Sequence, residues 1–269
     1  MLPAIFGLSG LTLTAEEVEL IRRADPLGFI LFARNIDNPQ QVKGLTDSLK
    51  TLTGRDNLPI LIDQEGGRVA RLVPPHWRVW PPALDFAHAY AQSPERGRAA
   101  AVCNYQALAL DLAALGISVN CAPVLDVPET GAHDIIGDRA FGAEPAMVAE
   151  LGAALLEGFA LSGVVGVVKH IPGHGRALAD SHEALPRVTA SIEALNRDLA
   201  PFKALAHAPM AMTAHIVYDA WDAEQCATLS PKVIDEVIRG QIGFDGLLMT
   251  DEIGRARLNS SHCALSRMP

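Results

Sequence analysis

The middle of the chain concentrates side chains that could transfer protons. The segment Lys169-His170-Ile171-Pro172-Gly173-His174-Gly175 is followed closely by Asp180-Ser181-His182. Its proline and two glycines disfavour a regular helix, so we expect an irregular loop after a buried strand. In an extended triplet the first and third side chains point the same way, so the Asp180 carboxylate can fix the tautomer of His182 and raise its proton affinity. This arrangement predicts a general acid or base.

Two other interpretations of these histidines stay open. They could be solvated loop residues beside a lysine whose stem lies on apolar surface, because a D-x-H triplet is common and is by itself a weak signal. They could also bind zinc through His170, His174 and His182, although such a site needs a rigid scaffold that the neighbouring glycines do not supply.

Carboxylates end two of the apolar segments of the chain. Asp63 follows Ile60-Leu61-Ile62, and Asp251 follows Leu247-Leu248-Met249-Thr250. A carboxylate at the end of a strand can attack an electrophilic carbon or stabilise a positive charge. It can also simply cap the next helix. Arginines near strand ends suit the oxygens of a polar ligand, with surface charge as the alternative; they are Arg68, Arg71 and Arg139.

The elements that must position these side chains alternate between short apolar runs and helical patterns, which is typical of βα units and a parallel sheet. We predict seven strands, over residues 4–8, 28–32, 59–63, 117–121, 164–170, 209–214 and 246–251. The run Val-Val-Gly-Val-Val at 164–168 does not alternate, so both faces of that strand should be buried. Helix starts are predicted by a capping box at Thr14 to Glu17 and by the dipeptides Ser93-Pro94 and Ser230-Pro231.

The polar residues gather where these strands end. That placement favours a (β/α)8 barrel, because barrel enzymes carry their active sites at the carboxyl ends of the strands. An open doubly wound sheet is the alternative, but no Gly-x-Gly-x-x-Gly turn follows the first strand. The predicted fold class is therefore α/β, an incomplete TIM-type (β/α)8 barrel of about seven strands that lacks its last βα units.

Composition excludes several classes of protein. With 269 residues, 49% apolar and 20% charged, the chain should be globular, and its net charge of -9 argues against nucleic acid as a partner. Its four cysteines are scattered, which favours reduced thiols. The first basic residue is Arg22, so a secretory signal is not expected, and no apolar stretch approaches a membrane span. We predict a cytoplasmic protein with no membrane partner, and no oligomeric state follows from the sequence.

Several ordered motifs of the chain together resemble those of the glycoside hydrolase family 3 β-N-acetylhexosaminidases. The nearest likeness is to the bacterial cytoplasmic type that recycles cell-wall muropeptides, and it runs from about residue 4 to residue 252. The matching segments are Asp63 to Val69, Ala122 to Val127, Asp138 to Gly142, Lys169 to Gly175, Asp180 to His182, Met212 to His215 and Met249 to Asp251.

The resemblance implies an enzyme that removes terminal N-acetylglucosamine from β-linked substrates, such as muropeptides, with retention of configuration and without a metal or cofactor. It implies that Asp251 is the nucleophile and that His182 is the general acid/base, held by Asp180. The implied sugar-binding residues are Asp63, Arg71, Arg139, Lys169, His170 and His215.

The resemblance weakens at the carboxyl end. Residues 1–253 are assigned to the catalytic barrel, and 254–269 to an atypical tail that has neither a strand pattern nor a sizeable apolar face. We expect a frameshift or early end of the gene to account for this tail. Two hypotheses follow: an active hexosaminidase, or a catalytically impaired fragment or sugar-binding remnant of that enzyme.

Overall fold

The structure is a computed structural model, and it describes residues 1–129, 131, 135–177 and 185–251. Its main sheet has seven strands in the order β1-β2-β3-β4-β5-β7-β9, and a separate two-stranded sheet pairs β6 with β8. The strands are β1 (Leu2–Gly7), β2 (Pro26–Leu31), β3 (Ile60–Ile62), β4 (Val119–Asn120), β5 (Val165–Ile171), β6 (Arg187–Val188), β7 (Met210–Thr213), β8 (Val217–Tyr218) and β9 (Leu247–Met249).

The main sheet confirms the predicted strands. Each of the seven predicted segments overlaps one of its strands, with bounds that differ by at most a few residues. The ladders β1–β2, β2–β3, β3–β4, β4–β5 and β7–β9 are all parallel. Residues 166–171 of β5 are buried without alternation, as expected for a strand covered on both faces. The two-residue strands β6 and β8 were not predicted, because a segment that short carries no periodicity.

Helices occupy most of the connections between the strands. They are α1 (Ala15–Ala24), α2 (Pro39–Thr53), α3 (Ala83–Gln92), α4 (Pro94–Ala114), α5 (Pro145–Ala160), α6 (Ile192–Asp198), α7 (Ala200–Ala204) and a π-helix over Val233–Ile242, with short 3₁₀ turns at Ala33–Asn35 and Gly137–Arg139. Over the described ranges, no helix is both long and apolar enough to cross a membrane.

The predicted helix starts are found in the structure. The Thr14 hydroxyl accepts a hydrogen bond from the backbone N–H of Glu17 at 3.1 Å, and the Glu17 carboxylate accepts one from the N–H of Thr14 at 2.9 Å, which completes the capping box. Helix α4 begins at Pro94, although the Ser93 side chain makes no capping hydrogen bond. The Ser230 hydroxyl accepts from the N–H of Val233 at 3.1 Å at the start of the π-helix.

The described residues group into two compact units. The first comprises Met1–Pro123 and Glu150–Val167, and the second comprises Val124–Ala149 and the chain from Val168 onward. In the first, the buried Tyr105 ring packs against Phe86 and Phe159, with centroid distances of 5.3 and 5.9 Å. In the second, the ring centroids of Tyr218 and Trp221 lie 5.0 Å apart, and the Tyr218 hydroxyl donates to the backbone oxygen of Gly173 at 2.6 Å.

Candidate active site

In the first unit, two of the predicted sugar-binding residues meet just beyond β3. Asp63 follows the buried strand, and its Oδ2 lies 3.4 Å from Nη2 of Arg71. The two side chains are 17% and 27% exposed, so both keep a surface that a ligand can reach. Polar groups held in this way present a carboxylate and a forked donor to ligand hydroxyls.

A buried amide that the sequence did not indicate holds this pair in place. The side-chain oxygen of Gln64 accepts hydrogen bonds from the N–H groups of Arg71 and Leu72 at 2.8 and 2.9 Å, and its NH₂ donates to the Leu72 carbonyl at 3.1 Å. The backbone of Gln64 is tied in turn to Asn120, whose side chain accepts from the Gln64 N–H at 3.0 Å and donates to its carbonyl at 2.8 Å. In the sequence, the only indication of this pairing was that Gln64 and Asn120 are polar residues close to the ends of two buried strands.

In the second unit, Lys169 and His170 lie at the carboxyl end of β5 and are buried. Asp126, which is fully buried, accepts hydrogen bonds from His170 Nδ1 at 2.7 Å, from the His170 backbone N–H at 3.2 Å and from the His174 backbone N–H at 2.6 Å. A carboxylate that accepts from Nδ1 fixes both the ring tautomer and the ring orientation. Asp126 lies in one of the motifs that resemble those of the family, but no role was predicted for it from the sequence.

The charges in this cluster follow from burial. Burial alone would raise the pKa of Asp126, but the His170 charge and the hydrogen bonds from His170 and His174 bring that pKa below its ordinary value. Burial, reinforced by the neighbouring His170, lowers the pKa of His174 to about 4, so its ring is neutral at pH 7. The cluster therefore contains an ionised carboxylate and at least one neutral imidazole.

Replacing Asp126 with asparagine should lower stability by about 1–3 kcal/mol and raise KM, because the variant loses the charge that pairs with His170 and leaves donors imperfectly matched. The wild-type carboxylate has a lowered folded-state pKa. Its contribution to stability is therefore complete above the ordinary value of 3.8 and is lost as the pH falls through the folded-state pKa.

Thermal denaturation at pH 7 and at pH 3 measures this effect. The Asp126→Asn variant should melt below the wild type at pH 7, and the difference should shrink in acid. Asp47→Asn is the matched control, since Asp47 pairs with Lys43 on an exposed helix face and should contribute less than about 0.5 kcal/mol. A gap between the Asp126 variant and the wild type that is equally large at both pH values would contradict the assignment.

Arg139 lies beside the histidine cluster. It ends the 3₁₀ turn Gly137–Arg139, its guanidinium donates to the Ile135 carbonyl at 3.1 Å, and its charge is one of the factors that lower the pKa of His174. The loops come together closely here: a Cβ on Gly175 would lie 1.9 Å from the carbonyl oxygen of Val127, which only glycine avoids. Close packing of the backbone therefore explains why a glycine stands at position 175 of the predicted irregular loop.

The loops after β7 and β9 supply His215 and Asp251. His215 is buried, with Nδ1 3.5 Å from the Cys226 sulfur, whereas Asp251 is exposed at the end of its strand. Burial lowers the pKa of His215, and the negative charge of Asp251 partly opposes that shift. The His215 imidazole is therefore neutral at pH 7.

The remaining predicted catalytic residues, Asp180 and His182, lie outside the described residues, as does the tail from residue 252. Their roles stay predictions. Within the ranges that the structure describes, no three His, Cys, Asp or Glu side chains form a metal-binding group. The ring centroids of His170 and His174 are 5.5 Å apart, and the third histidine of the zinc alternative is His182.

Comparison with known proteins decides the family. The family described as "Glycosyl hydrolase family 3 N terminal domain" matches residues 6–268. The chain belongs to this family. It is 39% identical over 257 residues to a β-hexosaminidase of Alkalilimnicola ehrlichii, covering 94% of this chain and 73% of that protein. It is 36% identical over 266 residues to a β-hexosaminidase of Pseudomonas aeruginosa, covering 98% and 77%.

A solved structure of a similar protein shares the fold. NagZ from Neisseria gonorrhoeae, crystallised in complex with N-trifluoroacetyl-D-glucosamine, superposes with a TM-score of 0.88 at 34% identity, covering 96% of this chain and 78% of that one. The predicted fold class, an incomplete (β/α)8 barrel of seven parallel strands, is confirmed for this family 3 protein. The predicted assignment to the glycoside hydrolases of the β-hexosaminidase type is confirmed as well.

Proposed function

We propose that this chain hydrolyses terminal, β-linked N-acetylglucosamine with retention of configuration, and that its substrates are the N-acetylglucosaminyl muropeptides of cytoplasmic cell-wall recycling. The observation that carries the proposal is Asp251, an exposed carboxylate at the end of β9 in a chain whose relatives are named β-hexosaminidases. The structure of a relative with a glucosamine derivative bound supports a small carbohydrate as the ligand.

The chemistry runs in two steps. Asp251 attacks the anomeric carbon through an oxocarbenium-like transition state and forms a covalent glycosyl-enzyme, while His182 gives its proton to the departing oxygen. His182 then takes a proton from water, which attacks the same carbon and releases the sugar with its original configuration. Asp180 keeps the His182 imidazole in the tautomer that these transfers need.

Six residues are assigned to the sugar. Their charges and donors suit hydroxyl and acetamide oxygens, and the set comprises Asp63, Arg71, Arg139, Lys169, His170 and His215. With Nδ1 of His170 bound to Asp126, the other ring nitrogen, Nε2, is the atom that we assign to the ligand. Burial keeps His215 neutral at pH 7, so it does not offset the charge of Asp251 as a cation would.

The proposal is tested by following hydrolysis of 4-nitrophenyl β-N-acetylglucosaminide by NMR. We expect β-N-acetylglucosamine as the first product, before mutarotation, and much slower release from the matched 4-nitrophenyl β-glucoside, which lacks the acetamide. An α-anomer as first product would refute retention. A folded chain that binds N-acetylglucosamine but releases none would instead be the sugar-binding remnant.

A further inference from the structure

Part of the loop between β3 and α3 begins at Arg71 of the Asp63–Arg71 pair. It reads Arg71-Leu72-Val73-Pro74-Pro75-His76-Trp77-Arg78-Val79-Trp80. The Gln64 amide holds its first two residues, and the carbonyl of Trp80 accepts a hydrogen bond from the N–H of Gly67 at 2.9 Å. Both ends of the loop are thus attached within a few residues of Asp63.

The anchors of this loop are buried, whereas its tip, residues 73–79, is not. Leu72 and Trp80 are 2% and 7% exposed, while Val73 and Val79 are 48% and 75% exposed. Within the described ranges, Val79 is the most exposed large apolar side chain. Exposed apolar groups that adjoin polar ligand-binding residues mark an interaction surface.

The aromatic side chains of the tip offer flat faces. Trp77 is partly exposed, and the His76 ring meets it edge-on at a centroid distance of 5.8 Å and an interplanar angle of 76°. Trp77 is six residues from Arg71, which places it at most about 20 Å away along the chain. Tryptophan combines a large rigid apolar face with low entropic cost on binding.

The charge of the loop is positive. Arg71 and Arg78 lie between residues 71 and 80, and no acidic residue does, although the whole chain has a net charge of -9. The Arg78 guanidinium stacks over the Trp80 ring at 4.9 Å and lies 3.8 Å from the Asp111 carboxylate, yet its side chain remains 64% exposed. A guanidinium presented in this way suits an incoming carboxylate.

We propose that residues 73–79 bind the aglycone of the muropeptide, with its sugar ring stacked on Trp77 and its carboxylate drawn in by Arg78. This inference rests on the proposed function, because it places the leaving sugar next to Asp63 and Arg71, two of the residues assigned to the N-acetylglucosamine. It adds a specificity-determining element to the reaction; the loop takes no part in bond making or breaking.

Three substrates separate the contributions of the loop. N-acetyl-β-glucosaminyl fluoride has a one-atom leaving group, diacetylchitobiose has a neutral sugar as its aglycone, and the β-1,4-linked disaccharide of N-acetylglucosamine with N-acetylmuramic acid has an anionic one. Trp77→Ala should lower kcat/KM about tenfold on both disaccharides, and the change should come from a higher KM. It should leave kcat/KM on the fluoride unchanged. Arg78→Gln should lower kcat/KM several-fold on the anionic disaccharide alone, and less so at high salt, where charges are screened.

Matched controls are Leu161→Ala, which removes an apolar side chain that is 60% exposed, and Arg22→Gln, which removes an exposed arginine of α1. Neither should discriminate among the three substrates. Equal losses on all three for Trp77→Ala, or no loss on either disaccharide, would overturn the aglycone assignment. A wild-type chain that fails to hydrolyse even the fluoride would refute the proposed function itself, which is a separate outcome.

Discussion

Replacing Asp251 with alanine should lower kcat on an aryl β-N-acetylglucosaminide by at least about 10³-fold, because the covalent intermediate can no longer form. The side chain is exposed at the end of β9, so the substitution leaves no cavity in the core and should change the melting temperature little. Steady-state kinetics with 4-nitrophenyl β-N-acetylglucosaminide, together with thermal denaturation, measures both effects.

External azide makes the test specific to the nucleophile. In the Asp251→Ala variant, a small anion can enter the vacated space and attack the anomeric carbon directly, so we expect partial recovery of nitrophenol release and formation of the α-glycosyl azide. Asp245→Ala is the matched control, since Asp245 is an exposed aspartate that precedes β9, and it should keep wild-type kinetics. An Asp251 variant that hydrolyses at close to the wild-type rate would exclude this residue as the nucleophile.

Replacing His182 with alanine should affect substrates according to their leaving groups. A poor leaving group needs a proton as its bond to the anomeric carbon breaks, so kcat/KM on diacetylchitobiose should fall about 10²- to 10⁴-fold. The leaving group of a dinitrophenyl glycoside is dinitrophenolate, which departs as a stable anion without protonation. The kcat/KM on that substrate should therefore fall far less. The measurement is a plot of log kcat/KM against leaving-group pKa, which should steepen in the variant.

Two further variants complete the test of His182. Asp180→Asn should change the slope in the same direction by a smaller amount, because the histidine remains but loses the carboxylate that orients it. His88→Ala, which alters an exposed histidine of α3, should leave the slope unchanged. If His182→Ala lowered kcat/KM on every substrate by the same factor, the assignment of His182 as the general acid would be wrong. Another proton donor would then be needed.

The sequence by itself determined those features that depend on neighbouring residues. The capping box at Thr14 and Glu17 forms as predicted because its donors and acceptors are three residues apart. All seven strands of the main sheet were predictable because continuous apolar runs between helical patterns indicate buried parallel strands. The placement of Asp63, His170 and Asp251 at the ends of strands followed from the same runs.

Only the tertiary structure decided which polar groups hold the site residues. Asp126 meets His170 across 44 positions of the chain, and Gln64 meets Asn120 across 56. No local spacing encodes such pairs, because parallel strand ends become neighbours only when the intervening helices pack. The neutral state of His174 likewise arises from burial, a property of the packed fold that no sequence motif contains.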